Sequence, residues 1–413
     1  MQIVSRHLNT LAVEVLDMSP ALVIEGARQV GKSTLARLFA ADASVTSVTL
    51  DDDQVRAFAL QDPVGFLESA GDGRLVIDEV QRMPSLMLPL KLLIDRDRRP
   101  GRFVLTGSAN LLRVPGAEDS LAGRAITLRL HPFSQGELRQ SLDDWVTRVL
   151  AGPDLGELTA PDRRRSIEMM TRGGYPAVQE LTPRTRSLWL RGYADRLCER
   201  DAAELASLQP TVLRRLLLLL ASGSGSELVL EQAAQTLGVA RGTVQRYLDV
   251  LESLFLIAIL PSWSRSLTAR QTRRAKCYVT DSGLLAALTG LDPDHLASPH
   301  GADHLGSVVE TFVVNELLRQ QGWSETPFEL SHFRDRNGAE VDVVIDTPRG
   351  VIAVEVKAAA SVQGRDFTHM NMLRERLGDE FLAGVVLHLG PPARIADRLY
   401  AMPLSSLWEL PRG

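Results

Sequence analysis

The feature that most constrains the fold of this chain is a glycine-rich segment between an apolar run and a helical pattern. The apolar run, residues 21–25, predicts a short buried strand. The segment after it has the G-x4-G-K-[ST] pattern and consists of Gly26, Ala27, Arg28, Gln29, Val30, Gly31, Lys32, Ser33 and Thr34. In such a loop, backbone N–H groups wrap the β-phosphate of a nucleotide, the lysine reaches the β and γ oxygens, and the first hydroxyl binds Mg²⁺. We therefore expect residues 26–34 to bind ATP and Mg²⁺ at the start of a helix, whose dipole favours the phosphates.

A second predicted strand, residues 75–77, runs into the acidic pair Asp78 and Glu79, the form of a Walker B motif. Asp78 would hold Mg²⁺ through water, and Glu79 would polarise the attacking water as a general base. A plain acidic pair at a strand end is the alternative, and the preceding P-loop makes it the less favoured one. A third predicted strand, residues 103–105, is followed by Ser108 and Asn110. Either could orient the water, although both residue types also suit an ordinary strand-to-helix turn.

An arginine, Arg124, lies just before another predicted strand at residues 125–130. In ATPases that assemble into rings, an arginine here is a candidate finger that stabilises the γ-phosphate charge of a neighbouring subunit. A solvated arginine is the alternative, because arginines are common in this chain. Of its 46 Lys and Arg residues only four are lysines, which leaves 42 arginines; the lysines are Lys32, Lys91, Lys276 and Lys357.

Composition narrows the class of protein. The 413 residues are 45% hydrophobic and 23% charged, which excludes disordered, collagen-like and coiled-coil chains and suggests about two to four domains. A net charge of −5 gives no general attraction to nucleic acid or membranes, so such binding needs local patches. Two cysteines are too few for a disulfide framework, the first residues lack the apolar core of a signal peptide, and the apolar runs are too short to span a bilayer. We expect a cytoplasmic protein without membrane contact.

The middle of the chain, residues 134–220, has a helical pattern, and residues 228–254 then predict a helix-turn-helix. A helix over 230–237 breaks at Gly238, and the exposed start of the next helix would carry Arg241, Thr243, Gln245 and Arg246. Residues 254–260 and 277–279 would form wing strands. The loop between them could neutralise DNA phosphates through Arg265, Arg270, Arg273, Arg274 and Lys276. A protein-interaction role is the alternative, because winged helices serve both purposes.

The last third predicts an α-β-β-β-α-β order, that of a restriction-endonuclease core. The helix spans residues 307–320, the strands 328–333, 340–345 and 351–356, the next helix 367–377 and the last strand 382–387. Asp342 and Glu355 on adjacent strands, with Glu310 on the helix, could hold a second Mg²⁺ or Mn²⁺, and Lys357 would point to the same face as Glu355. A polar edge strand is the alternative. Val341 stands where a proline usually precedes the first acidic residue of such a core. Two alternatives therefore remain: the core cleaves nucleic acid, or it binds nucleic acid without cleaving it.

These motifs, in this order, resemble prokaryotic AAA-class ATPases whose C-terminal half is a conserved region of unassigned function. The resemblance rests on residues 26–34, 78–81, 105–108 and 121–124, and continues at 173–176, 278–284 and 340–357, so it covers nearly the whole chain. It implies a multidomain α/β chain and a homo-oligomeric ring. We predict an AAA-type ATPase domain at 1–135, a helical linker or lid at 136–208, a winged helix-turn-helix at 209–300 and a restriction-endonuclease-like domain at 301–413.

Two functions remain open at this stage. The first is an ATPase whose hydrolysis drives or gates a DNA-binding, nuclease-like C-terminal half, acting on branched or damaged DNA. The second is a slow nucleotide switch that holds a protein partner, of the signalling or toxin–antitoxin type, without processing DNA. Stimulation of the ATPase rate by DNA separates them.

Overall fold

The computed structural model describes residues 4–39, 45–108, 121–201, 208–265 and 274–410, with the side chains of 200 and 201 excepted. The chain divides into two compact units. The first comprises Met1–Phe133 and Ser253–Phe255, and the second comprises Ser134–Glu252 and Leu256–Gly413. The division into four domains predicted from the sequence stays a prediction.

The first unit is built on a five-stranded parallel sheet with the strand order β2-β3-β4-β1-β5. Its strands are β1 (Ala21–Glu25), β2 (Val45–Thr49), β3 (Arg74–Asp78), β4 (Phe103–Gly107) and β5 (Ala125–Arg129). Its helices are α1 (Leu8–Met18), α2 (Lys32–Leu38), α3 (Asp53–Gln61), α4 (Pro63–Leu67) and α5 (Met87–Arg96). β1 and β4 are buried at every position, as near-continuous apolar runs in a parallel sheet should be.

The second unit contains most of the helices of the chain. They are α6 (Gln135–Arg139), α7 (Trp145–Leu150), α8 (Arg163–Arg172), α9 (Pro183–Arg196), α10 (Pro210–Ser222), α11 (Leu230–Leu237), α12 (Arg241–Ser253), α13 (Ser282–Thr289), α14 (Pro293–Ala297), α15 (Ala302–Gln320), α16 (Thr368–Leu377) and α17 (Ser406–Glu409). Side-chain caps fix several helix starts: Asp162 accepts from the backbone N–H of Arg165 at the start of α8, and Thr182 caps α9, where Pro183 takes the first position.

Two sheets complete the second unit. An antiparallel sheet has the order β6-β8-β7 and consists of β6 (Ser226–Glu227), β7 (Ile257–Leu260) and β8 (Lys276–Val279). A mixed six-stranded sheet has the order β13-β14-β12-β11-β10-β9. Its strands are β9 (Glu329–Arg334), β10 (Glu340–Thr347), β11 (Gly350–Val356), β12 (Phe381–His388), β13 (Ala393–Ala396) and β14 (Leu399–Pro403). β9, β10 and β11 pair antiparallel, whereas β12 pairs parallel with both of its neighbours.

The buried helix α15 connects the helical segment to the six-stranded sheet within this unit. Two of its buried polar side chains bind backbone groups of other helices: Glu316 accepts a hydrogen bond from the backbone N–H of Gln135 at 2.9 Å, and Gln320 accepts one from that of Trp145 at 2.8 Å. Because buried polar groups require partners, these bonds specify how α6 and α7 pack on α15. The segment predicted as a linker is therefore part of the same compact unit as the C-terminal sheet.

Two glycine motifs noted in the sequence meet at Asp281. Its carboxylate accepts hydrogen bonds from the backbone N–H groups of Gly174 at 2.7 Å and Leu284 at 2.9 Å, and it pairs with Arg319 at 3.1 Å. Gly173 has a φ of +70°, and a Cβ there would collide with this carboxylate. The motifs at 173–176 and 278–284 are therefore explained by packing around a buried, fully paired aspartate.

Most predicted elements are present. The helix-turn-helix elements lie at α11 and α12, with Gly238 in the left-handed conformation between them, and both wing strands pair as predicted. The C-terminal α-β-β-β-α-β order is also present, but the sequence reasoning missed β13 and β14. The winged-helix and restriction-endonuclease assignments themselves stay proposals. In the part of the chain that the structure describes, no helix is long and apolar enough to cross a membrane.

Candidate functional sites

The predicted P-loop lies between β1 and α2, and two of its positions require glycine. Gly26 has a φ of +151°, and a Cβ there would collide with the carbonyl oxygen of Leu130. Gly31 has a φ of +101° immediately before α2. Side chains other than hydrogen are strained in this region of backbone space. The glycines therefore permit the compact turn that precedes the helix.

Lys32 folds back over this loop. Its Nζ donates hydrogen bonds to the carbonyl oxygens of Gly26 at 2.9 Å and Ala27 at 2.8 Å, and the residue is only 5% exposed. Burial lowers the pKa of Lys32 to about 8, and the charges of Glu79 and Asp78 offset part of this effect. Neutral carbonyl oxygens compensate the positive charge of a buried ammonium poorly. The loop is therefore suited to bind the negatively charged phosphates of a nucleoside triphosphate.

A hydroxyl and a carboxylate face each other where α2 and β3 meet the site. Ser33 Oγ donates to Asp78, with its two carboxylate oxygens at 3.0 and 2.9 Å, and Thr106 Oγ1 donates to the same carboxylate. These oxygen groups are of the kind that Mg²⁺ prefers, so Ser33 and Asp78 fit the Mg²⁺ that accompanies ATP. Thr106 was not predicted, although its place at the end of β4, beside β3, is a usable signal.

Glu79 lies next to this pair, in the left-handed conformation with a φ of +58°, which is uncommon for a residue other than glycine. Ser108 Oγ donates to Glu79 Oε2 at 3.1 Å, and the Gln81 amide donates to the Glu79 carboxylate and to Ser108 Oγ. The carboxylate is thus oriented from two sides. Ser108 lies at the site as predicted, Gln81 was missed, and Asn110 lies outside the described residues.

A further residue at the P-loop, Arg6, had no sequence signal. Its guanidinium donates to the carbonyl oxygens of Val30 at 2.7 Å and His131 at 2.6 Å, and it stacks over the ring of Phe133 at 4.8 Å. The side chain therefore links the P-loop to the segment that follows β5. Nothing in the residues around Arg6 indicates this contact, because its partners are backbone carbonyls far along the chain.

Arg124, the predicted finger, forms a two-bond ion pair with Asp95 on α5, at 2.8 and 2.7 Å. The hydrogen bond to Arg124 lowers the pKa of Asp95, and the reciprocal bond raises that of Arg124. To reach a neighbouring subunit, the guanidinium would have to leave this pair. The finger role stays a prediction.

The predicted DNA-contact residues on α12 lie at its exposed start. Arg241, Gln245 and Arg246 are exposed, and Thr243 is half-buried. Arg241 pairs with Glu231 at 3.1 Å, and Gln245 donates to Asp249 at 3.0 Å. The helix thus presents polar side chains on one face, as predicted.

The basic wing loop is only partly described. Arg270 and Arg273 lie outside the described residues, Arg274 is exposed, and Arg265 pairs with Glu380 at 2.9 Å. Lys276 does not face solvent, because β8 turns its side chain into the protein, where 3% of it is exposed. The prediction that Lys276 contacts DNA is therefore wrong: a phosphate cannot reach a buried ammonium that is already paired.

The ammonium of Lys276 lies instead among three carboxylates, which we call the carboxylate cluster. Its Nζ is 2.9 Å from Glu310, 2.9 Å from Glu340 and 3.4 Å from Asp342. Tyr278 donates its hydroxyl to Glu310 at 2.7 Å. The structure therefore brings together Glu310 and Asp342, as predicted, and adds Glu340, Tyr278 and Lys276.

Glu355 lies beside this cluster on β11, and Lys357 follows directly after the strand. Lys357 Nζ donates to Glu355 Oε1 at 2.7 Å, which confirms that the two side chains share a face. Asp342 accepts a hydrogen bond from the backbone N–H of Val356 at 2.9 Å. Burial, followed by the charge of Asp342, raises the pKa values of Glu310 and Glu355. Burial lowers the pKa of Lys276, but the carboxylates outweigh it and raise the value above its usual range.

This arrangement does not fit the predicted second Mg²⁺ or Mn²⁺. The Lys276 ammonium stands where a divalent cation would contact Glu310 and Asp342, and it supplies the positive charge that those carboxylates require. Within residues 4–39, 45–108, 121–201, 208–265 and 274–410, no group of three or more His, Cys, Asp or Glu side chains is arranged to hold a metal ion.

Comparisons with known proteins match three segments of the chain to described families. Residues 18–139 match a family described as an AAA domain, which covers the P-loop, the Walker B pair and Arg124. Residues 163–295 and 305–407 match two domains of unknown function, DUF8612 and DUF4143. The parallel-sheet unit is thus an AAA-type ATPase domain, and the chain continues into regions without an assigned activity.

Similar whole proteins are also known. An uncharacterized protein of Mycobacterium tuberculosis, Rv2008c, is 32% identical over 351 residues, which are 84% of this chain and 72% of that protein. An uncharacterized protein of Haemophilus influenzae is 26% identical, with 81% of each chain covered. Among solved structures, a Walker-type ATPase of Pyrococcus abyssi matches 69% of this chain and 96% of its own, with 16% identity and a TM-score of 0.45. The chain belongs to the same family as the M. tuberculosis protein, and in this chain an AAA-type domain precedes regions of unknown function.

Proposed function

We propose that the first unit binds ATP with Mg²⁺ and hydrolyses it. The observation that carries this proposal is the convergence of Lys32, Ser33, Asp78 and Glu79 at the carboxyl ends of β1 and β3, inside a matched AAA domain. In open parallel sheets this edge is where ligands bind.

Each residue has a separable task in this proposal. Lys32 would turn from the loop carbonyls to the β and γ oxygens, and Ser33 with Asp78 would hold Mg²⁺, which when bound neutralises charge on the phosphates. Glu79, oriented by Ser108 and Gln81, would accept a proton from the attacking water. Arg6 would keep the P-loop in place from outside.

Two variants test the proposal. Lys32→Ala should lose ATP binding, and Glu79→Gln should keep binding and lose hydrolysis by about 10²–10⁴-fold, the usual contribution of a general base. Lys91→Ala, which removes a lysine from α5 outside the site, is the matched control. Unchanged ATP affinity in Lys32→Ala would refute the P-loop assignment, and full turnover in Glu79→Gln would move the base elsewhere.

We further propose that ATP turnover is coupled to DNA contact through α12. The support is the helix-turn-helix order of α11 and α12, together with the exposed Arg246 at the start of the second helix. The rival is the switch that holds a protein partner, which uses the same exposed helix. Single-stranded, duplex or junction DNA at low salt should raise the ATPase rate if the coupling exists, and the absence of any stimulation favours the switch.

A charge variant tests the contact itself. Arg246→Ala should weaken binding to duplex DNA and reduce the slope of log affinity against log salt by about 0.9, the contribution of one phosphate contact. Arg336→Ala, another exposed arginine of the second unit, is the control and should leave the slope unchanged. Equal slopes in both variants would assign α12 to another purpose.

A ring in which Arg124 serves a neighbouring site completes the proposal. It is supported by the position of Arg124 before β5 within the AAA domain. Arg124→Ala and Lys32→Ala should each be inactive alone. A mixture of the two should regain activity, because Lys32→Ala subunits supply Arg124 to nucleotide that is bound by neighbouring Arg124→Ala subunits. A mixture that stays inactive would restrict Arg124 to its pair with Asp95.

A further inference from the structure

A cleft lined by arginines lies in the second unit, outside the P-loop and the carboxylate cluster. It has a volume of about 710 Å³, within the range of small-molecule sites. Its walls come from α8, α9 and α13 and from the segment that leads into α14. All of its lining residues fall between 164 and 294, inside the region matched by the domain of unknown function DUF8612.

Five guanidinium groups face this cleft against three carboxylates. The arginines are Arg164, Arg172, Arg184, Arg186 and Arg191, and the acidic residues are Glu168, Asp292 and Asp294. Arg164 is already paired, with Glu168 at 3.1 Å and Asp294 at 2.6 Å. Arg191 donates to the carbonyl oxygen of Ala287 at 2.7 Å, at the end of α13. The remaining three arginines carry positive charge without a carboxylate partner among the described residues.

Arg186 is the most informative of these three. It is only 8% exposed, and one terminal nitrogen donates a hydrogen bond to the carbonyl oxygen of Leu181 at 2.8 Å. Its Nε is buried and has no hydrogen-bond partner among the described residues. Burial, and then the like charge of Arg172, lowers the pKa of Arg186. A buried cation beside a second cation, with an unused donor, costs free energy that a bound anion would offset.

The cleft is also lined by apolar side chains. Leu188 is a large, strongly exposed hydrophobic side chain, and Pro183 and Leu291 also line the cleft. The cleft therefore offers both cations and apolar surface. Planar guanidinium groups match phosphate oxygens with paired donors, and an apolar wall suits a flat ring such as a nucleobase.

We propose that this cleft binds a phosphate-bearing ligand of nucleotide size, with its phosphate held by Arg172, Arg184 and Arg186 and its base against Leu188. Such a ligand arises either as a free nucleotide or as part of a nucleic-acid strand. The site is separate from the P-loop, so the proposal goes beyond ATP hydrolysis and does not depend on it.

The test is calorimetric titration of the full-length Lys32→Ala protein, in which the P-loop no longer contributes. The probes are inorganic pyrophosphate, ADP and a single-stranded DNA tetranucleotide, each at physiological salt. We expect one pyrophosphate to bind per chain. ADP or the tetranucleotide should bind more tightly than pyrophosphate, because each adds a base. The tighter of these two probes shows whether the ligand is a free nucleotide or a nucleic-acid strand. No binding of any probe would overturn the proposal.

A pair of arginine variants tests the location in the same background. Arg172→Gln should weaken binding about tenfold, the loss expected for one charge-assisted hydrogen bond. Adding Arg184→Gln should weaken it further. Arg165→Gln removes an exposed arginine of α8 that does not line the cleft, and its affinity should be unchanged. Because Arg172, Arg184 and Arg165 are all exposed, melting curves should coincide. Equal affinities in Arg172→Gln and Arg165→Gln would place the ligand elsewhere.

Discussion

Two buried lysines, Lys32 in the first unit and Lys276 in the second, have opposite surroundings. Lys32 Nζ is bonded to two neutral carbonyl oxygens, and burial lowers its pKa to about 8. Lys276 Nζ is bonded to the carboxylates of Glu310, Glu340 and Asp342, which raise its pKa. The first ammonium lacks a full counter-charge and is suited to attract one from outside. The second has its counter-charge already.

The comparison shows why a lysine beside carboxylates does not by itself indicate a metal-dependent active site. In the second unit the carboxylates expected to hold a metal surround a cation of the chain itself. In the first unit the carboxylate of Asp78 faces a neutral hydroxyl, and no lysine takes the metal position. The chemistry of a site follows from which cation its carboxylates contact: Lys276 occupies that place in the carboxylate cluster, whereas Asp78 can contact a cation that arrives with a ligand.

The largest expected effect is a loss of stability when Lys276 is replaced. Lys276→Met would leave Glu310, Glu340 and Asp342 facing one another, and loss of one partner from a buried ion pair costs about 3–5 kcal/mol. Urea unfolding followed by circular dichroism measures the loss. Lys276→Met combined with Glu340→Gln should recover part of it. Lys91→Met is the control, and a Lys276→Met protein as stable as that control would show that the cluster is not held by the ammonium.

The next effect is on the pH dependence of nucleotide binding. Lys32 has a lowered pKa of about 8 in the free protein, so it is charged at pH 7 and loses its proton as the pH rises through that value. A bound triphosphate requires the charged form. ATP affinity should therefore fall about fivefold between pH 8 and pH 9, because the protonated fraction falls from about one half to about one tenth, and binding at pH 9 should take up a proton.

Isothermal titration in two buffers with different ionisation enthalpies measures both the affinity and the proton uptake. Phosphate groups have largely lost their second proton by pH 7, since that pKa is about 6, so the ligand contributes little over this range. Constant affinity from pH 7 to pH 9 would contradict the assignment of the shifted pKa to the binding lysine.

The smallest effect is expected at Lys357. Its side chain is 34% exposed and pairs with Glu355, whereas that of Lys276 is 3% exposed. Water screens an exposed pair, so Lys357→Met should cost about 1 kcal/mol or less in the same urea experiment. A loss as large as that of Lys276→Met would mean that Lys357, too, is an essential counter-charge.

The residues of the first site were largely predictable because they lie in short contiguous motifs. Residues 26–34 form a loop whose glycines, lysine and hydroxyl lie close together in the sequence. Asp78 ends a strand that is itself predictable from its apolar residues. Ser108 could also be placed, because parallel strands end at one edge. Thr106 and Gln81 lie within the segments 105–108 and 78–81, but their contacts with Asp78 and Glu79 were missed because the sequence does not show which side chains of neighbouring segments meet.

The second unit shows where such reasoning fails. Lys276 follows an arginine-rich stretch, so its neighbours in sequence predicted a solvent-facing cation. Its position on β8 decided otherwise, because alternate side chains of a strand point to opposite faces and this one points to α15 and β10. The residues near a short strand in the sequence do not indicate which of its faces is covered by other parts of the protein.

The sequence by itself determined the nucleotide loop, the Walker B pair and many of the helices and strands, but not β2, β13 or β14. Each of these depends on residues close together in the chain and on apolar periodicity. The tertiary structure alone decided that Arg6 supports the P-loop, that Lys276 neutralises the carboxylate cluster, and that arginines of α8 and α9 converge on one cleft. Those features join residues tens to more than a hundred positions apart. Their energies arise only when folding removes water from between the charges.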